Sequence, residues 1–563
     1  MSIRPEFIQD GPHLQNSYES DDLLKSFLKS RLPAEVLKEI SPDLSRFGAR
    51  CVTDILSLGE KAQAQPPRLV SYDSWGKRID QIEVSEAWKE LDRVAAEEGL
   101  VAIGYERKQG AFSRVYQFAK LYLFHPSSAF YSCPLAMTDG AARVLELHGE
   151  PNLKAGAFRH LTSRDPKQFW TSGQWMTEKA GGSDVSRTST VARKDGANYR
   201  LSGDKWFTSA TTSQMSMALA KVEGATDSRE GLSLFYVETR DAEGKLNHIR
   251  LNRLKDKLGT KALPTAELTL DGTPGVLVGA VGEGVKKVAS LLNITRLYNS
   301  TCSLGTIARA LHLAKDYAKR RVAFGAALAE QPLHLQTLAD LQAEFEGSFV
   351  LAFHLIHLLG KEETGSASAD EGAILRLLTP VIKLWSAKQA ISITSEVLES
   401  FGGAGYVEDT GLPLLLRDAQ VFAIWEGTTN VLSLDALRAI AKDGSLQPFF
   451  KDIDSRLSGV KAASLLNEVS LAQDAMAGLK KYFQSAENLS GEAQQAGARA
   501  AALTLARASA AALLLELADG CAKIGERVAA SEEIARRFCR HGFGSLLPVD
   551  DLEMKRLKTI VYG

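Results

Sequence analysis

One carboxylate in this chain sits where a carboxylate is costly. Glu426 lies inside Phe422-Ala423-Ile424-Trp425-Glu426-Gly427-Thr428-Thr429-Asn430, an aromatic and apolar run. Poor hydration disfavours the charged form of a carboxyl, so such a residue can serve as a base near neutrality. A salt-bridged structural glutamate is the plain alternative. Just upstream, Glu399-Ser400-Phe401-Gly402-Gly403-Ala404-Gly405-Tyr406 supplies glycines that let a backbone approach a ligand closely. A second stretch, Gln174-Trp175-Met176-Thr177-Glu178-Lys179-Ala180-Gly181-Gly182-Ser183-Asp184-Val185, gathers hydroxyls and exposed amides. Such a loop can set N–H and O–H donors against a flat polar ligand or a phosphate, although a simple turn has the same composition. Other chemistries lack their residues. There is no Walker A loop and no G-x-G-x-x-G opening a helix after a strand. The cysteines (Cys51, Cys133, Cys302, Cys521, Cys539) form no C-x-x-C pair, and His354 and His357 have no carboxylate in register, so no metal site is expected.

The elements that must position these residues change texture along the 563 residues. From about residue 20 to 163 apolar residues recur three and four apart, which reads as helix, with a loop at Pro66-Pro67. From about 169 to 281 the texture turns strand-like. Leu232-Ser233-Leu234-Phe235-Tyr236-Val237 and Ala266-Glu267-Leu268-Thr269-Leu270 are short runs punctuated by turn residues such as Lys194-Asp195-Gly196. A compact sandwich or barrel is expected. Helical patterning resumes after Gly282-Glu283-Gly284, and an Ala- and Leu-rich helical appendix follows from about Pro448. The expected class is α+β in four parts: an N-terminal helical domain over 1–165, a middle β domain over 166–282, a C-terminal helical bundle over 283–442 and an extra helical domain over 443–563.

Charge excludes some partners. Lys+Arg number 67 against Asp+Glu 68, so no global field draws the chain to nucleic acid or an anionic membrane. The appendix is balanced as well, with 16 basic and 15 acidic residues over 441–563. Its longest apolar run, Ala508 to Leu515, is too short to span a bilayer. An N-terminus with early acids and no apolar core gives the expectation of a soluble, cytoplasmic protein, an organellar matrix being the alternative.

Taken in order, the motifs resemble the acyl-CoA dehydrogenase family from about residue 75 to 440. The M-T-E-x-x-x-G-S-D loop is Met176 to Asp184, and the strand that follows it is Gly203-Asp204-Lys205-Trp206-Phe207-Thr208-Ser209. A K-x-G-x-x-x-x-P-T stretch runs from Lys257 to Thr265, a T-R pair is Thr295-Arg296, and R-x-x-F-G is Arg321 to Gly325. The F-G-G loop and the E-G-T signature at Glu426-Gly427-Thr428 complete the series. The appendix and the Trp425-Glu426-Gly427 wording resemble the AidB-type branch.

The resemblance implies an FAD-dependent enzyme that oxidises an acyl-CoA, leaning to medium or long chains, to its trans-2-enoyl-CoA. Glu426 would be the α-proton base. Met176, Thr177, Gly182, Ser183, Phe207, Thr208, Ser209, Trp425, Thr428 and Asn430 would meet FAD. Arg321, Phe324, Gly402 and Gly403 would meet it from a neighbouring subunit, which implies a homo-oligomer, commonly a dimer of dimers. Ser183, Arg296 and Gly427 would face the substrate, with Arg296 near the base. An electron-transfer flavoprotein is an implied partner. Small residues such as Ala96 and Gly104 would suit a long acyl tail. An AidB-like flavoprotein that binds acyl chains or DNA with little turnover is the runner-up, and Arg536, Arg537 and Arg540 would be its basic cluster. The chain departs from the family at Glu399, at Pro332 and at Gln174, where a glutamine, a glutamine and an aromatic are usual.

Overall fold

The computed structural model describes residues 10–224, 231–546 and 549–563. The N-terminal helices Asp22–Arg31, Ala34–Arg50, Glu86–Glu97, Ser113–Phe124 and Ser132–His148 carry the expected apolar faces. Between them lies an element the helical reading lacked, an antiparallel hairpin of β1 (Arg68–Tyr72) and β2 (Arg78–Glu83). Its strands are short, charged and mostly exposed, so no apolar alternation marks them. The hairpin is tied to the β domain: Leu251 N–H donates to the buried Asp80 carboxylate, and Arg78 donates to the Leu251 carbonyl.

The middle domain is a barrel. Its strands are β3 (Ser172–Trp175), β4 (Val191–Asp195), β5 (Asn198–Ser209), β6 (Met215–Val222), β7 (Leu232–Glu238), β8 (Ile249–Leu254) and β9 (Thr265–Leu277). β6 pairs with β4 and β7, β7 with β9, β9 with β5, and β5 with β4, which closes a ring. β3 and β8 add to β6 and β9. Closure leaves those five strands with no open edge.

The long helices Gly284–Arg320, Pro332–Glu363 and Ala369–Ser400 form the bundle, and the first packs against Ser132–His148. Pro332 opens its helix, where a missing N–H costs nothing. Ser368 and Glu371 close a capping box at the start of the third. Arg114, 1% exposed, joins the N-terminal domain to the bundle by reaching both Asp139 and Glu363.

The appended domain has helix Gly491–Ile524 at its centre. By length and composition this helix could cross a membrane, which the eight-residue apolar run in the sequence did not suggest; 78% of its most apolar window is buried inside the protein. The domain docks on the outer face of helix Pro332–Glu363. Arg507 pairs with Glu344, and Arg527 forks onto the buried Glu346. The Phe538 ring lies where a side chain at Gly347 would have to go, 2.5 Å from its Cβ position. Breaking a buried pair by removing one partner costs about 3–5 kcal/mol. Arg527→Met is therefore expected to loosen the appendix, seen as faster amide exchange over 443–563 than in the parent.

Candidate active site

Glu426 sits in a turn between a short 3-10 segment, Gln420–Ala423, and helix Thr429–Asp443. Its backbone is left-handed, with φ of 56°, and Gly427 follows at φ of 105°. For a residue with a Cβ that conformation costs of order 1–3 kcal/mol and must be held by its surroundings. The half-buried carboxylate accepts a hydrogen bond from the Thr295 hydroxyl at 2.7 Å. Two ties hold the turn from behind. The Lys383 ammonium donates to the carbonyls of Trp425 and Gly427, at 2.6 and 2.7 Å. Arg296 pairs at 2.7 Å with Asp435 of the following helix, and Asp435 also receives Arg376. Arg296 thus braces the helix behind the base, while its neighbour Thr295 makes the direct contact.

An aromatic wall stands beside the turn. Ala129 and Phe130 are both left-handed, and the Phe130 ring stacks on Phe422 at 5.5 Å and lies 5.8 Å from Trp425. Gly104 lends no space to a chain, because the Arg114 guanidinium already fills it, 2.4 Å from the Cβ position.

The first motif loop is held by a buried ion pair that joins two motifs. Glu178 of M-T-E and Lys205 of the next strand meet at 2.7 Å, both all but sealed from solvent. Glu178 also accepts from the Ser189 N–H and from the hydroxyls of Ser189 and Thr190. Burial pushes its carboxyl up, but the Lys205 charge and these donors outweigh burial and hold it at about 2. The Trp206 N–H donates to the Thr177 carbonyl, which pins the loop to β5. Gly182 lies flat on Thr177, where an added Cβ would sit 3.0 Å from the side chain.

β5 and β9 slip register between Lys205 and Thr208, a bulge that turns the ring of Phe207 outward, 51% exposed. Lys255 lies over the rings of Trp206 and Phe207. Thr208 points the other way: it is buried, and its hydroxyl donates to the Ala266 carbonyl, so its side chain does not share the face of Phe207 and Ser209. Ser209 is linked through Thr265 to Lys257, with 3.1 Å at each step. Lys257 fills one lone pair of Thr265, and in the ordering Lys257 to Thr265 to Ser209 the Ser209 proton is left for the open face. Burial lowers the Lys257 ammonium to about 8, against the pull of Cys133 and Asp418. Asp418 takes the Thr260 N–H at 2.6 Å; burial raises it to about 6, against that donor and the charges of Arg417 and Lys257.

The remaining sequence-predicted residues differ in exposure. Ser183, Thr428 and Asn430 are exposed, and Met176 is buried at the barrel's start. Gly402 and Gly403 are exposed, with open space where a Cβ would go, and Gly402 needs its positive φ of 60°. Arg321 and Phe324 belong to a small hairpin, Val322–Ala323 paired with Ala326–Ala327. Phe324 there is fully exposed, in a left-handed conformation. Of the three departures, Glu399 is exposed, Gln331 beside Pro332 donates to the Ala323 carbonyl, and the Gln174 side-chain oxygen is buried without a partner among the described residues. The basic cluster is largely neutralised: Arg536 pairs with Glu532 and Glu533, and Arg537 with Asp340.

The Thr295 contact to Glu426, the Lys383 ties, the Glu178–Lys205 pair and the role of Asp418 are not expected from the motifs. A signal existed for Lys383, a lone cation amid Leu377-Leu378-Thr379-Pro380-Val381-Ile382-Lys383-Leu384-Trp385.

A closed β barrel between two helical domains, with a glutamate at the E-G-T turn, defines a class. The acyl-CoA dehydrogenase C-terminal domain matches residues 282–441 and the acyl-CoA dehydrogenase middle domain 173–273, and the chain belongs to the acyl-CoA dehydrogenase family, whose members are FAD-dependent flavoprotein oxidoreductases. Its outer parts point further. The N-terminal domain of adaptive response protein AidB matches 12–166, and the acyl-CoA dehydrogenase 11 C-terminal domain-like family matches 445–557. Acyl-CoA dehydrogenase family member 11 of Caenorhabditis elegans is 43% identical over 549 residues, covering 95% of this chain and 88% of the relative. The putative acyl-CoA dehydrogenase AidB of Escherichia coli is 33% identical over 418 residues, covering 72% and 74%. Among solved structures, C. elegans ACDH-11 in complex with C11-CoA superimposes with a TM-score of 0.95 at 41% identity, covering 100% of this chain and 98% of that one.

Proposed function

We propose that the protein dehydrogenates medium- to long-chain acyl-CoA thioesters to trans-2-enoyl-CoA, with Glu426 as the base. The observation that carries this is the accessible Glu426 carboxylate, oriented by Thr295 in a strained turn beside the Phe130–Trp425 wall. In this reading Glu426 takes the proton from the α-carbon while a hydride leaves the β-carbon, and the double bond forms between them. The Glu426 N–H donates to the thioester carbonyl and stabilises negative charge developing there. The chemistry that FAD supplies when bound is acceptance of that hydride.

The residues present fit such a cofactor. The half-exposed Phe207 ring offers a flat apolar face, Ser209 a donor, and Gly402 and Gly403 room for close backbone approach. The Trp425 Nε1 atom is buried without a partner among the described residues. Met176, Thr177, Gly182 and Ser183 would line one side and Thr428 and Asn430 the other. An exposed Phe324 in a strained hairpin and a 90% exposed Tyr406 after the glycine loop support contact with a second copy of the chain. We assign Arg321, Phe324, Gly402 and Gly403 to the cofactor of that copy, in a dimer or dimer of dimers. The complex of the 41%-identical ACDH-11 with C11-CoA supports the chain-length range. An electron-transfer flavoprotein as acceptor and a cytoplasmic site complete the proposal.

Anaerobic titration of the purified flavoprotein with butyryl-, octanoyl-, undecanoyl- and palmitoyl-CoA tests it. Bleaching of the flavin band is expected, strongest with octanoyl- or undecanoyl-CoA. Spectral shifts without bleaching would leave an acyl-binding flavoprotein instead.

A further inference from the structure

We infer that Lys383 is a positioning residue for the catalytic base: its buried ammonium ties the carbonyls on either side of Glu426 and so holds the base's backbone in its left-handed conformation. The inference rests on the reading of Glu426 as base.

Lys383 lies midway along helix Ala369–Ser400, 0% exposed, among Ile382, Leu384 and Trp385. A cation there is expensive, and at a packing position an apolar side chain of the same length would serve better. Among the described residues Lys383 has no carboxylate within ion-pair distance; its hydrogen-bond partners are the Trp425 and Gly427 carbonyls. Both carbonyls belong to the turn, outside the helices that flank it. They bracket the residue of this turn whose left-handed backbone needs support, since Glu426 has a Cβ and no glycine's freedom. The second tie, Arg296 to Asp435, fixes the helix after the turn and leaves the turn itself to Lys383.

The charge has a consequence of its own. Burial lowers the Lys383 ammonium to about 7; the Glu426 carboxylate opposes this and the Arg296 guanidinium adds to it. Below that pH a positive charge faces Glu426. Above it a neutral amine keeps two N–H groups for the two carbonyls, so the tie persists while the charge is lost. Lys383 therefore couples the field at the base, though not the base's placement, to pH near neutrality.

Lys383→Met removes donor and charge at nearly constant volume, and Lys383→Gln returns an N–H donor without charge. The holoenzymes are compared by amide exchange over residues 424–428, by flavin absorbance, and by kcat and KM for undecanoyl-CoA across pH 6 to 9. For the methionine variant, exchange at the turn is expected to rise about tenfold with the rest of helix Ala369–Ser400 unchanged. Its kcat is expected to fall about 10²-fold while KM stays within about threefold, as for a misplaced catalytic group. The parent's ionisation near pH 7 should vanish from the kcat profile in both variants, and the glutamine variant should recover part of the exchange protection and of kcat. Unchanged exchange at 424–428, an unchanged kcat, or a uniform rise in exchange along the helix would overturn the inference in favour of a core residue. If Glu426→Gln turned over as fast as the parent, the base reading would fall, and the exchange result would still decide whether Lys383 holds the turn.

Discussion

Glu426→Gln is expected to lower the rate of flavin bleaching by undecanoyl-CoA about 10²–10⁴-fold, the usual worth of a positioned general base. The change is nearly isosteric. The amide oxygen can still accept from the Thr295 hydroxyl at the 2.7 Å site, and the Lys383 tie acts on backbone that the substitution leaves alone. Cofactor occupancy and thioester affinity should therefore hold, and the loss should fall on the chemical step. Anaerobic stopped-flow reduction separates these quantities. Bleaching at the parental rate would place the base elsewhere.

Lys205→Met is expected to cost about 3–5 kcal/mol of stability and to empty the flavin site. The substitution leaves the sealed Glu178 carboxylate without its cation, held only by Ser189 and Thr190. Because Glu178 fixes the loop from Met176 to Asp184, the damage should reach the cofactor before the barrel unfolds. The pH dependence has a definite sign. A carboxyl held at about 2 in the folded protein against an ordinary 4.5 contributes stability that is complete above 4.5 and lost as pH falls through about 2. The parent should lose stability across that window, and the variant should lose less. Urea unfolding at pH 7 and at pH 3, followed by tryptophan fluorescence, measures both effects; equal stability of the two proteins at pH 7 would refute the pairing argument.

The helical and barrel parts were legible because apolar content marks what is buried: six of the seven residues of Leu232–Glu238 are buried, as is most of helix Gly284–Arg320. The hairpin β1–β2 was not, since its strands Arg68–Tyr72 and Arg78–Glu83 bury almost nothing. In the site, motif residues were visible but their directions were not. The bulge at Lys205–Thr208 turns Phe207 outward and Thr208 inward, and a bulge leaves no mark in residue spacing. Arg296 was expected near the base, and its charge goes to Asp435, 139 residues further along, a pairing only the fold reveals. Lys383 is the same case, a contact to carbonyls 42 and 44 residues away.

The docking of the appended domain bears on how the chain is made. Helix Asp22–Arg31, the first among the described residues, is bound to a region translated long after it: Arg31 pairs with Glu516, and Lys29 with Glu526. On the ribosome, almost five hundred residues separate these partners. Until helix Gly491–Ile524 arrives, the nascent protein presents the outer face of Pro332–Glu363 to solvent and to chaperones, and a chain cut short before it exposes that face permanently. Truncated products should thus be cleared or aggregate even though every residue of the catalytic turn has been translated.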